Sequence, residues 1–86
     1  MMAARDDAVV DSHIMAILRA LRTSLESGTG EVTIPQLCRH TGLDLQLATR
    51  YLGALLDIGI VRLRRSSERE TFVSITKYGL ELMPPL

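Results

Sequence analysis

The stretch that decides the fold runs from Ile34 to Leu52, IPQLCRHTGLDLQLATRYL. Pro35 suits the first turn of a helix, where its missing N–H is not needed and its fixed φ is already helical. The short run Gln36-Leu37-Cys38-Arg39-His40 then halts at Thr41-Gly42, because glycine takes the left-handed cap conformation at little steric cost. Asp44 offers an N-cap carboxylate to the free N–H groups around Gln46 and Leu47. Behind it Leu47, Ala48, Tyr51, Leu52, Leu55 and Leu56 recur at helical spacing as far as Ile58, and Gly59 ends the run. The reading is a short helix over 35–41 and a longer one over 44–58, joined by a tight turn.

Upstream, Val10, Ile14, Ile17, Leu18, Leu21 and Leu25 recur every three or four residues, the signature of an amphipathic helix over 7–27 that Gly28-Thr29-Gly30 ends. Glu31-Val32-Thr33-Ile34 is β-branched but leads straight into Pro35, so it has room for one brief strand at most. Downstream the period changes to two. Val61-Arg62-Leu63-Arg64 and Val73-Ser74-Ile75-Thr76 alternate about a polar Ser66-Ser67-Glu68-Arg69, which reads as a β-hairpin over 61–75 with a charged tip. Thr76 caps a last helix over 76–83, and Pro84-Pro85 prevents its continuation. The expected class is mainly α with a small hairpin (α+β): a three-helix core, a helix-turn-helix, a wing and a short C-terminal helix in one domain over 1–86.

Composition narrows the function classes. Of 86 residues, 47% are apolar, which excludes an intrinsically disordered chain, and no apolar run is long enough to span a bilayer. The N-terminus turns acidic at Asp6-Asp7 before any apolar stretch, so no secretory signal is expected and a cytoplasmic location is. Net charge is zero, but it divides: residues 1–31 carry −2 and residues 32–86 carry +2. Nine of the ten cations are arginine, the planar donor suited to phosphate forks.

Three motifs in this order resemble winged helix-turn-helix regulators of the MarR-like and PadR-like kind. Ile34-Pro35-Gln36-Leu37 through Thr41-Gly42-Leu43 is similar to the first helix of that motif and its glycine turn. Thr49-Arg50-Tyr51-Leu52, Leu55 and Gly59-Ile60-Val61 resemble the end of the recognition helix and its exit into the wing. Phe72-Val73-Ser74-Ile75-Thr76-Lys77-Tyr78-Gly79-Leu80 looks like the second wing strand and a Thr-x-x-Gly helix start. The resemblance implies DNA binding by a dimer, with the 44–58 helix in the major groove and the wing along the backbone. A helix fits that groove and presents its N-terminal half to base edges, where Leu45, Gln46, Thr49 and Arg50 are the outward positions. Gln46 is then suited to adenine, Arg50 to guanine, and Thr49 to a phosphate or a thymine methyl. Arg62, Arg64, Arg65 and Arg69 of the wing, with Arg39 and the N–H groups of the Pro35 helix, are the phosphate candidates.

The chain also departs from the family. Leu45 and Leu47 stand where polar residues are usual, and Gly53, Ala54 and Leu56 where long polar ones are. Zero net charge, Leu45, Leu47, Gly53 and Ala54 support a second reading, a winged-helix protein-interaction module that does not bind DNA. A solvated hairpin edge is the bland account of the wing arginines, since Glu68 and Glu70 sit among them. Pairing with Asp44 or Asp57 is the bland account of Arg50. Cys38 reads as a small buried apolar residue and His13 as a surface or pH-sensitive contact; neither has the partners that a metal site needs. No nucleophile, base and orienter can be named together, so neither an enzyme nor a cofactor is expected. The stripe on the first helix, extended by Val9, Met15, Met1 and Met2, is wider than one small core needs. With Leu80, Leu82, Met83 and Leu86 it points to a homodimer through the terminal helices, and an effector pocket would have to lie at that interface.

Overall fold

The structure is a computed structural model that describes residues 2–82, with side chains described from Val10 onward. In chain order the elements are α1 (Met2–Glu26), β1 (Val32–Thr33), α2 (Ile34–Thr41), α3 (Leu45–Asp57), β2 (Val61–Arg65), β3 (Thr71–Ile75) and α4 (Lys77–Leu82). α1, α2 and α3 pack against a three-stranded antiparallel sheet of order β1-β3-β2, an α+β arrangement. One apolar cluster joins them: Ile17, Leu18 and Leu21 of α1, Leu37 of α2, Leu43 of the turn, Ala48, Leu52 and Leu55 of α3, and Val32, Ile60, Val61 and Val73 from the sheet side.

α1 begins at Met2 rather than at Asp7 and ends at Glu26 rather than Ser27. Ala3, Ala4 and Arg5 are strong helix formers, so Asp6-Asp7 lies inside the helix and does not start it. Its apolar stripe meets the core only in the middle, and Val10 and Leu25 toward its ends are exposed. The side chains of Met1, Met2, Val9, Met83 and Leu86, expected to extend the stripe, lie outside the described residues.

α2 starts at Ile34, one residue earlier than the proline suggested, because Thr33 forms a capping box. The Gln36 N–H donates to Thr33 Oγ1 at 3.3 Å, and the Thr33 N–H donates to the Gln36 side-chain oxygen at 2.9 Å. Gly42, at φ 77°, closes α2 by donating its N–H to the Cys38 carbonyl. Asp44 caps α3 as its position suggested, accepting from the Leu47 N–H at 2.8 Å.

The wing is three-stranded, not a lone hairpin. β1 adds to β3, with Val32 opposite Val73 and Thr33 opposite Phe72, while β2 pairs with β3 from Val61↔Ile75 to Arg65↔Thr71. Thr76 fastens the end of the sheet to α4. Its hydroxyl donates to the Gly59 carbonyl at 2.6 Å and accepts from the Gly79 N–H at 3.0 Å. Gly79 is buried there, and a Cβ on it would sit 2.5 Å from the Ile60 carbonyl oxygen, so the Thr-x-x-Gly pattern has a steric cause. α4 is described to Leu82, and Met83, its expected end, lies outside the described residues.

Candidate nucleic-acid interface

α3 divides cleanly into two faces. Ala48, Leu52 and Leu55 are buried, and Leu47 is half-buried against the same core. Leu47 is therefore not the exposed apolar residue that its position suggested. On the other face Leu45, Gln46, Thr49, Arg50, Gly53 and Ala54 are all exposed. Gln46 and Arg50 stand one turn apart and line a shallow depression with Asp44 and Leu47. Among the described residues Arg50 is in no ion pair, with Asp44 and Asp57 included. Leu56 and Ile58, which the apolar periodicity would have buried, are exposed at the far end of the helix.

The helix is held from behind by a contact with no sequence signal, since its partners lie 38 residues apart. His13 Nδ1 of α1 and Tyr51 Oη of α3 share a hydrogen bond of 3.1 Å, and their rings meet edge-to-face at 5.6 Å between centroids. His13 is thus half-buried and partnered within the chain, not a surface residue.

The wing arginines do not form one patch. Side chains alternate along a strand, so Arg62 and Arg64 share a face of β2 while Arg65 projects from the other, on which Val61 and Leu63 lie. Arg69 sits in the tip, in the left-handed region at φ 68°. Arg64 is committed within the chain. Its Nε and Nη2 donate to the two carboxylate oxygens of Glu31, each at 2.9 Å, and its guanidinium carbon lies 4.7 Å from the Phe72 ring centroid. The side chain thus crosses the central strand to reach the residue just ahead of β1. These hydrogen bonds hold the Glu31 carboxyl below its ordinary value of 4.5; partial desolvation opposes them and the guanidinium charge adds to them. Arg64 is raised in turn, first by the same hydrogen bonds.

Arg39 is exposed in the last turn of α2. At the start of that helix the Gln36 N–H, expected to be free for phosphate, is taken by the capping box. Cys38 is half-buried against the core, and no metal-ligand cluster occurs among the described residues. A groove of about 550 Å³ runs between α1, β1 and α2. Several of its polar groups are already bound: Ser24 to the Glu31 carbonyl, Gln36 to Thr33, and the Glu31 carboxylate to Arg64. No described helix is long and apolar enough to cross a membrane.

No protein-family model matches the chain, and no curated protein does. Solved structures do. A MarR-family transcriptional regulator from Silicibacter pomeroyi aligns over 81% of this chain and 44% of its own, at 23% identity and TM-score 0.70. A mutant MarR from E. coli, complexed with operator DNA, aligns over 80% of this chain and 46% of its own, at 22% identity and TM-score 0.67. A second MarR-family regulator from Silicibacter pomeroyi aligns over 92% of this chain and 51% of its own, at 22% identity and TM-score 0.68. The chain spans about half the length of each. It therefore folds as a winged helix-turn-helix of the kind these MarR-family regulators carry.

Proposed function

We propose that the protein is a sequence-specific double-stranded DNA-binding transcriptional regulator that works as a homodimeric repressor in the cytoplasm. The observation that carries this reading is the free face of α3, where Gln46, Thr49 and Arg50 are exposed in a fold shared with a protein solved on operator DNA. A helix in the major groove would set Gln46 against an adenine edge and Arg50 against a guanine edge, with Thr49 on the adjoining phosphate. Arg62, Arg65, Arg69 and Arg39 would neutralise backbone charge and fix register without reading sequence. Arg64, already held by Glu31, would act by stiffening the sheet. Exposed Val10 on α1 and Tyr78 and Leu82 on α4 supply apolar surface for a second copy. Two-fold pairing would place the two α3 helices about 34 Å apart, one turn of duplex.

Titration of a fluorescent duplex over a range of salt tests the reading. With three of these four arginines (Arg39, Arg62, Arg65 and Arg69) in each protomer on phosphates, log K should fall against log salt with a slope of about −5. A second reading, a protein-interaction module, is favoured by the exposed Leu56 and Ile58 at the end of α3. It gains if no duplex binds even at low salt, because a non-specific DNA binder retains affinity there.

A further inference from the structure

We infer that Leu45 reads a thymine methyl beside the base pair that Gln46 contacts, an inference that rests on the DNA-binding reading above. Leu45 is the first residue of α3 and, at 61%, is at least as exposed as any other large apolar side chain among the described residues. It is not a core residue that missed its place, because Leu47 fills that position against the core. Nor is it loosely held. Asp44 adopts an extended cap conformation at φ −76° and ψ 167°, and its carboxylate accepts from the Leu47 N–H, so the backbone on both sides of Leu45 is constrained.

Leu45 heads the row that continues through Thr49, next to the row of Gln46 and Arg50. Leu45 and Gln46 are both exposed in the first turn of α3, the end of a recognition helix that reaches base edges, so Leu45 enters the groove with Gln46. The floor of the major groove is a pattern of hydrogen-bond donors and acceptors with one apolar feature, the C5 methyl of thymine. An apolar side chain pressed on any other base edge strips it of water and leaves it unpaired, which is penalised. Leu45 thus favours thymine at its position, through burial of a methyl and without a hydrogen bond. Leu56 lies about 16 Å further along the helix axis, beyond the N-terminal half that reaches base edges, so the argument does not extend to it.

The test uses the full chain and a duplex selected from a random pool at low salt. Each thymine of the selected site is replaced in turn by deoxyuridine, which keeps the base pair and removes only the methyl. The expected result is one thymine per half-site where the replacement weakens binding about 4-fold, the factor for one buried methyl. In Leu45→Ala the same replacement should leave affinity unchanged, while Thr49→Ala should retain the 4-fold effect. Unaltered melting of Leu45→Ala shows that the fold is intact. Tolerance of every deoxyuridine by the wild-type chain overturns the inference, as does a penalty that persists in Leu45→Ala. Failure to bind any duplex at low salt overturns instead the DNA-binding reading beneath it.

Discussion

Gly79 and Arg69 show at residue scale how the backbone constrains what can stand at a position. At Gly79 the constraint is space. A Cβ there would meet the Ile60 carbonyl oxygen at 2.5 Å and Ile75 Cγ1 at 2.9 Å, so neither the strand exit nor α4 has room to yield. Gly79→Ala should destabilise the fold by about 2 kcal/mol in urea titration, a typical overpacking penalty. At Arg69 the constraint is conformation. The Ser66 N–H donates to the Glu70 carbonyl at 2.8 Å and the Arg69 N–H to the Ser66 carbonyl at 3.1 Å, which makes a three-residue loop whose last residue is left-handed. Glycine is the residue such a position favours, and Arg69→Gly should raise stability by about 1 kcal/mol. The same variant should weaken duplex binding if Arg69 meets phosphate. Opposite signs for stability and affinity in one variant would be the mark of a residue kept for contact and not for folding. Tyr51→Phe, which keeps the ring but removes the bond to His13, should cost about 1 kcal/mol by the same titration.

At the scale of elements, the Glu31–Arg64 pair joins the ends of the sheet across β3. The Glu31 carboxyl is depressed in the folded state, so the pair's contribution is complete above the ordinary carboxylate value and is lost as pH falls through the lowered one. Melting curves taken from about pH 6 to about pH 3 should therefore fall more steeply for the wild-type chain than for Glu31→Gln, with the two converging at the acid end. Parallel curves would mean the pair does not stabilise the sheet. The Asp44 cap and both wing strands followed from turn chemistry and period, whereas the Thr33–Gln36 capping box emerged only in the structure. Nor was the pairing of β1 with β3 legible, because two residues of strand carry no period of their own.

For the molecule as a whole, exposed apolar side chains on α1 and α4 offer a surface to a second copy. Val10 lies at the exposed end of the α1 stripe whose middle, Ile17, Leu18 and Leu21, is buried, and Tyr78 and Leu82 are exposed on α4. If these helices join two copies, the sedimentation mass should rise with concentration in the micromolar range. Leu82→Glu should then hold the chain as a monomer, because burying an unpaired carboxylate is strongly unfavourable. A mass that stays monomeric at every concentration would remove the homodimer and with it the two-fold spacing of the α3 helices.

The order of elements, the helix-turn-helix spacing, the caps and the alternating wing were all determined by the sequence itself. Each follows from local preferences: glycine for left-handed φ, an oxygen side chain for free N–H groups, and apolar residues at the period of the element. Tertiary structure alone decided which leucines of α3 are free, with Leu47 turned toward the core and Leu45 toward solvent. It alone also matched His13 with Tyr51 and engaged the exposed Arg64 with Glu31. These contacts join residues 33 and 38 positions apart, and only the packing of distant segments brings such groups within hydrogen-bonding reach.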